Sequence, residues 1–495
     1  MWQALPQLLM PTTKIGQHRT KWLYVAVAVS LSMMAHVGLV SGLPRMPQWQ
    51  APVVVWESQG GASAPQLVTD AQGHVHFFFV DRSNDASGTI LYHIAIDEGE
   101  PFVAHDILVG MAPDYRDYRV ASDPFGRVHI VFRRENSMWH TAALGSAAGD
   151  AGAWSPPVVI GSTSPGHGFT IDGKGGLHVC YPSGSQILYQ HSEDSGESWS
   201  EAEQVAPTFE PSIPVYLACA VDTVGVIHVA WSETTPPNYY PTEALFYTRS
   251  EDGGRSWQEP ERIAESDFPL STLVADLEGN VHLLWQGDVK AGGRFYRRLT
   301  AGQGRHWTDT ETVIPAGQGG MSGDAPLVVD SNGNPHVLTA ANGIKWIGRI
   351  EGGWSAPSVL SASLAELPNP SGSIEYPAFA IANGNQLHAV FLFDQHKFYY
   401  SSALLNAPEK RVTPAPSPPP SGPQAEAVAT AQVSPSIMTA TVAVEAYPYT
   451  NTSSAKDLGS LDDGAANRQW LIWVGPLLAS LIVLWVVARE RRLMG

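Results

Sequence analysis

The chain has 495 residues, is 44% hydrophobic, and carries 47 Asp and Glu against 29 Lys and Arg, a formal net charge of −18. That acidic balance, with no basic cluster in the central region, excludes a nucleic-acid surface. Two cysteines are too few for a disulfide-built scaffold, and the length allows one large domain with appended segments.

Residues 1–21 contain Lys14, Arg19 and Lys21 and precede an uncharged run of 19 residues, Trp22 to Val40. Residues 22–42 therefore read as a signal peptide cut near Ser41-Gly42 or as an uncleaved signal-anchor helix. Next comes Trp49-Gln-Ala-Pro-Val-Val-Val, a short strand with no partner before it.

From here the chain writes Asp-x-x-Gly-x-x-His six times, ending at His76, His129, His178, His228, His282 and His336. A degenerate seventh copy ends at His388, with Ala382 and Asn385 where Asp and Gly would stand. The intervals are 53, 49, 50, 54, 54 and 52 residues, the mark of an array of similar supersecondary units. Asp bonds its own turn backbone and Gly accepts positive φ, so each motif predicts a hairpin between two apolar strands. A third strand bears an aromatic (Tyr92, Trp139, Tyr189, Tyr247, Tyr296, Trp346, Tyr399), and a fourth opens at Trp154, Trp199, Trp257, Trp307 or Trp354. Four short antiparallel strands per unit predict the blades of a β-propeller over residues 46–405.

The seventh unit runs into proline after its third strand. The strand at Trp49 matches the fourth-strand pattern of Trp354-Ser-Ala-Pro-Ser-Val-Leu, so the N-terminal strand is expected to complete the last blade and close the ring. The expected fold is all-β, a seven-bladed propeller closed by an N-terminal strand, plus two single transmembrane helices.

Residues 406–469, rich in Pro, Ala, Ser and Thr, form a stalk with too little apolar material to fold. Some 60 residues of this kind reach about 45 Å. Residues 470–488 are uncharged from Leu471 to Ala488, long enough to span a bilayer, and the tail 489–495 carries Arg489, Arg491 and Arg492. Basic flanks on the cytoplasmic side place the propeller outside the cell membrane.

Cys180 and Cys219 replace apolar residues of the repeat in adjacent units, which fits either a disulfide or two buried small hydrophobes. The repeated histidines suggest a metal, but ring symmetry holds equivalent positions apart, so a scaffold role is expected and neither metal nor cofactor.

Two further turns carry a familiar pattern: Ser192-Glu-Asp194-Ser-Gly196-Glu-Ser198-Trp199 and Ser250-Glu-Asp252-Gly-Gly254-Arg-Ser256-Trp257. Both resemble the Asp box, S-x-D-x-G-x-[ST]-W, of bacterial neuraminidase-repeat proteins in the sialidase-like superfamily. The resemblance covers only the propeller. It implies that these boxes lie opposite the ligand face and are structural. Sialidases of the family typically have six blades and an Arg-Ile-Pro motif; here only Arg45-Met-Pro47 comes near it.

Opposite the boxes, the loops between second and third strands and between blades offer charged groups. Arg82, Arg116, Arg119, Arg133, Arg134 and Arg294 are candidate ligand-binding residues, able to clamp a carboxylate. Asp81 is a candidate acid; Tyr240 with Glu243, or Tyr376 with Glu375, is a candidate nucleophile pair. Three functions follow as expectations: a tethered propeller binding a glycan or protein partner, a sialidase-like exo-glycosidase, or an assembly factor for a membrane complex. No nucleic-acid partner is expected.

Overall fold

The structure, a computed structural model, describes residues 46–410 apart from 82–88, 97–101, 112–117, 208–210, 237–241, 266–269, 288–292, 303–304, 316–324, 341–342, 361–373 and 394–395. Both apolar runs, the basic tail and residues 411–469 of the stalk lie outside the described residues. Among the described residues no helix is long and apolar enough to cross a membrane. The chain divides into two units, Met1–Ser421 and Gly422–Gly495, and the second is wholly outside the described residues.

Seven antiparallel sheets follow one another, each of four strands except the sixth, which has five. Blade 1 is built from Ala62–Thr69, Val75–Asp81, Thr89–Ala95 and His105–Met111. Blades 2 to 6 take residues 118–162, 168–207, 213–265, 270–314 and 327–359. Blade 7 comprises Ile374–Ala382, Gln386–Phe393 and Lys397–Leu404. Val53–Glu57 pairs antiparallel with the last of these, Val53 opposite Tyr400 and Glu57 opposite Lys397. The architecture is an all-β, seven-bladed propeller.

Second strands such as Val75–Asp81 are buried along their whole length because both faces pack on neighbouring blades. Alternate side chains go to opposite seams. Phe77 and Phe79 join Val55 and Phe398 of blade 7, whereas Phe78 and Val80 join Ile130 and Phe132 of blade 2. The core is therefore seven apolar clusters, one for each seam between blades. Side chains of first strands add hydrogen bonds between blades: Thr69 Oγ1 donates to Ile381 O at 3.0 Å and Ser122 Oγ to Thr69 O at 2.7 Å.

The repeat motif builds a polar string inside each blade, seen in full in blade 5. Asp276 Oδ1 accepts from the backbone N–H of Glu278 (3.0 Å) and Asn280 (2.8 Å), and Gly279 turns the corner at φ +82°. Asp276 Oδ2 lies 3.0 Å from His282 Nε2, and His282 Nδ1 lies 2.8 Å from the Tyr296 hydroxyl. A carboxylate only accepts, so Nε2–H donates to Asp276 and Nδ1 accepts from Tyr296. His178–Tyr189 and His228–Tyr247 repeat the geometry at 2.7 Å. Blades 1 and 2 put His93 and His140 in place of the tyrosine, each 3.0 Å from its partner imidazole. In blade 6 His336 stacks on Trp346 at 5.6 Å instead, and in blade 7 His388 keeps its tyrosine, Tyr400 at 2.8 Å, without the aspartate.

The third-strand ring also receives the next blade. Trp257 meets Tyr189 edge-on at 5.5 Å, Trp307 meets Tyr247 at 4.9 Å and Trp354 meets Tyr296 at 5.2 Å. The fourth-strand tryptophans thus plug gaps between blades, not between strands of one blade. Replacing Asp276 by Ala strips four donors of their acceptor, counting Asn280 Nδ2 at 2.8 Å. Asp276→Ala should lower unfolding free energy by about 3 kcal/mol in urea titration; a loss below about 0.5 kcal/mol would show the string to be dispensable.

Candidate functional site

Antiparallel order puts the Asp-x-x-Gly hairpins and the turns from third to fourth strands at one end of the ring. The turns from second to third strands and the links between blades lie at the other, here called the loop end.

At the turn end, Ser192 Oγ donates to Asp194 Oδ1 (2.7 Å) and accepts from Gly196 N (2.8 Å), while Asp194 Oδ1 accepts from Ser198 N (2.9 Å). Ser250, Asp252, Gly254 and Ser256 repeat this at 2.8, 2.8 and 2.9 Å. A Cβ on Gly254 would stand 2.2 Å from the Tyr189 ring, so glycine is required where this turn presses on the preceding blade. These groups bond one another and the neighbouring blade.

A cavity of about 790 Å³ opens between the turns of blades 4 and 5, lined by Asp222, Val224, Arg249, Glu251, Glu278 and Arg305 among others. Arg305 of blade 5 pairs with Asp222 of blade 4, its side chain 7% exposed. Burial would raise the Asp222 carboxyl, but bonds from His228, Val226 N and Arg305 outweigh that and hold it well below the usual range. Arg249 bonds Glu251 at 3.1 Å and Glu278 lies 3.8 Å from Lys410. The Arg305–Asp222 pair across the seam makes this cavity an inter-blade clamp.

At the loop end, Asp81 is 2% exposed. Its Oδ2 accepts from Trp56 Nε1 at 2.7 Å and its Oδ1 from Ser58 Oγ at 2.9 Å, both from the N-terminal segment. Both oxygens of this candidate acid thus tie that segment to blade 1. Arg133 and Arg134 leave their strand on opposite faces, as neighbours in a pleat must. Arg134 lies over the rings of Phe132 (5.8 Å) and Trp139 (5.9 Å), on the seam with blade 1. Arg133 shares the other face with Arg119, since Arg119 pairs with Val131 two residues before it. Arg294 is fully buried in blade 5, its Nη1 donating to Gly293 O at 3.3 Å. Glu243 is exposed, its N–H donating to Glu233 O at 2.8 Å. Arg82, Arg116, Tyr240 and the side chains of Glu375 and Tyr376 lie outside the described residues.

The structure adds His167, which belongs to no repeat and so carried no signal in the sequence. It is 0% exposed at the seam between blades 2 and 3, its Nε2 donating to Val131 O at 3.3 Å. Burial, then the charges of Arg119 and Arg133, lower its pKa to about 3. Arg119 Nη1 donates to Tyr118 O at 2.9 Å and Arg133 Nη1 to Glu135 O at 2.6 Å. Nearby, Ala64 adopts φ +51°, its carbonyl accepting from the Tyr118 hydroxyl, and Tyr216 adopts φ +53°. Non-glycine residues in this region mark strained backbone at the loop end of first strands.

Glu233, 5% exposed, accepts from Trp231 Nε1 at 3.0 Å. Burial, with the nearby Glu243, pushes its carboxyl up.

No known family model matches the chain, and no curated protein does. Among solved structures it is similar to an ulvan lyase of a new polysaccharide lyase family, bound to a GlcA(1-4)Rha3S unit (12% identity, 73% of this chain, 97% of that one, TM-score 0.47). It is also similar to a Hadza microbial sialidase (16%, 72% and 68%, 0.39) and to the NanB sialidase from Streptococcus pneumoniae (12%, 72% and 71%, 0.41). Such identities speak for fold alone. By its own blade order the chain is a seven-bladed β-propeller.

Two predictions follow from these environments. Asp81→Asn should lower the urea midpoint, because the amide can accept at only one of the two positions now used; an unchanged midpoint would free Asp81 for chemistry. For pH, burial lowers His93, His140 and His167 to about 3, so the unfolded chain binds their protons first. Their stabilisation is whole above the unfolded value near 6.5 and is lost as pH falls toward 3, by up to about 4 kcal/mol per pH unit for the three together. Below pH 4 Asp70 and Asp172, held at about 2 by bonds that outweigh their burial, add to the loss. Melting temperature should drop between pH 6.5 and 5; a flat profile there would contradict the neutral histidines.

Proposed function

We propose that this chain is a membrane-tethered, extracytoplasmic propeller that binds a glycan, or a protein partner, through its loop end. The observation that carries this reading is the placement of Arg119 and Arg133 on one face of blade 2, at the loop end. Two guanidiniums on one sheet face suit a carboxylate or sulfate on the ligand. In this reading residues 22–42 and 470–488 anchor the chain and residues 406–469 hold the ring off the membrane. The Val53–Glu57 strand then acts as the latch of the ring, and the turns at Ser192 and Ser250 are Asp boxes, structural and remote from the ligand.

Binding is favoured over hydrolysis because Asp81 is committed to Trp56 and Ser58 and because Arg133 and Arg134 diverge. The exo-glycosidase reading keeps one observation of its own. Glu233, buried and raised, stands close to Glu243, and two carboxyls in different environments are what acid–base chemistry needs. Nothing in the described residues favours the assembly-factor reading.

The full-length chain, assayed against sulfated, carboxylated and neutral oligosaccharides, should prefer the anionic ones. Arg119→Ala and Arg133→Ala should each weaken that binding roughly ten- to a hundredfold. Affinity unchanged in both variants would overturn the loop-end reading. Release of fluorophore from a sialoside, abolished by Glu243→Gln, would establish the hydrolase instead.

A further inference from the structure

The chain's two cysteines, Cys180 and Cys219, meet across the seam between blades 3 and 4. Cys180 is on the second strand of blade 3 and pairs with Gly168 on the first. Cys219 is on the first strand of blade 4. A Cβ on Gly168 would come within 2.8 Å of Cys219 N and 2.9 Å of Ala218 Cα. Only glycine lets the blade 4 strand close on blade 3 at this point, and that approach brings Cys180 and Cys219, both free thiols, into one buried cluster. Cys219 Sγ also reaches His178 O at 3.8 Å. Both thiols are buried, 0% and 6% exposed.

Other blades fill the two positions with hydrocarbon: Phe78 and Val131 stand where Cys180 stands, Leu67 and Val120 where Cys219 stands. Apolar packing therefore does not require sulfur. Two substitutions, each to cysteine and each on its own blade, land on the same contact.

We propose that Cys180 and Cys219 are an oxidative cross-linking site that closes to a disulfide between blades 3 and 4. The acceptor is a small-molecule disulfide or a thiol–disulfide oxidoreductase. One cysteine thiolate attacks the acceptor disulfide, breaking its S–S bond and releasing one thiol. The second cysteine then displaces the other half, so two S–H bonds are lost, one S–S bond forms, and the acceptor departs as two thiols. Burial pushes the Cys180 thiol up, which leaves little thiolate once the seam is packed. The exchange accordingly belongs to folding, or to brief opening of the seam, and the finished bond is shielded from reductants. The bond joins residues 39 positions apart and fixes the strand that begins at Gly168, next to His167. The site stands independently of the loop-end reading, because its test measures neither binding nor hydrolysis.

The full-length chain is unfolded in denaturant with a glutathione redox buffer, refolded, alkylated in fresh denaturant and weighed. The expected result is loss of two hydrogen atoms, no alkylation, and a linked peptide pair containing Cys180 and Cys219. Melting temperature should stand about 5 °C above that of the same protein kept reduced. Two alkylated thiols after refolding, with a melting temperature indifferent to reductant, would overturn the proposal, as would glutathione on each cysteine separately. Gly168→Ala, which wedges the seam, should lower the yield of linked peptide; should that variant fail to fold, the mass of the unaltered chain still decides.

Discussion

Hydrogen bonds from a turn carboxylate through an imidazole to a third-strand ring hold blades 1 to 5 in register, and the rest of the propeller depends on them. A buried carboxylate is costly unless its lone pairs are filled. Asp276 fills them from two backbone amides, the Asn280 side chain and His282. The histidine is thereby fixed in one tautomer and can accept from Tyr296, whose ring faces Trp354 of the next blade. One side chain, Tyr296, thus ends the polar string of its own blade and begins the apolar seam to the next. Where the string is altered, the ring compensates locally: Trp346 stacks on His336 in blade 6.

This division of labour explains why the two ends of the ring differ. At the turn end the repeat commits its polar atoms to bonds within and between blades, and even the cavity at Arg305 is an ion pair. Five residues beyond the repeat histidines, at the loop end, the described positions hold Asp81, Arg134, Ser183, Glu233, Gly287 and Phe393. Positions that the scaffold does not constrain are free to differ, and chemistry specific to one ligand requires such differences. Arg119 and Arg133 stand together on one face of blade 2 at that end.

Much of this is legible in the amino-acid sequence alone. A motif spaced near 50 residues and the aromatic third strand gave the blade number, because backbone turns and two-sided burial write themselves into local sequence. The loop-end residues were legible only as an inventory. Arg133 and Arg134 are adjacent in sequence and far apart in effect, since pleating sends them to different seams. Asp81 looked available, yet Trp56 and Ser58, more than 20 residues earlier, engage both its oxygens. His167 gave no signal, because its environment is made by side chains from another blade.

The amino-acid sequence by itself determined the repeating layer: the hairpins, the histidine string and the number of blades, all set by interactions within about 20 residues of chain. The tertiary structure alone decided what meets across a seam. It turned the tryptophans into inter-blade plugs, buried His167 against blade 2, and brought Cys180 and Cys219 together through Gly168. Such contacts join residues tens of positions apart, and their partners depend on how closely two backbones approach, which no local pattern records.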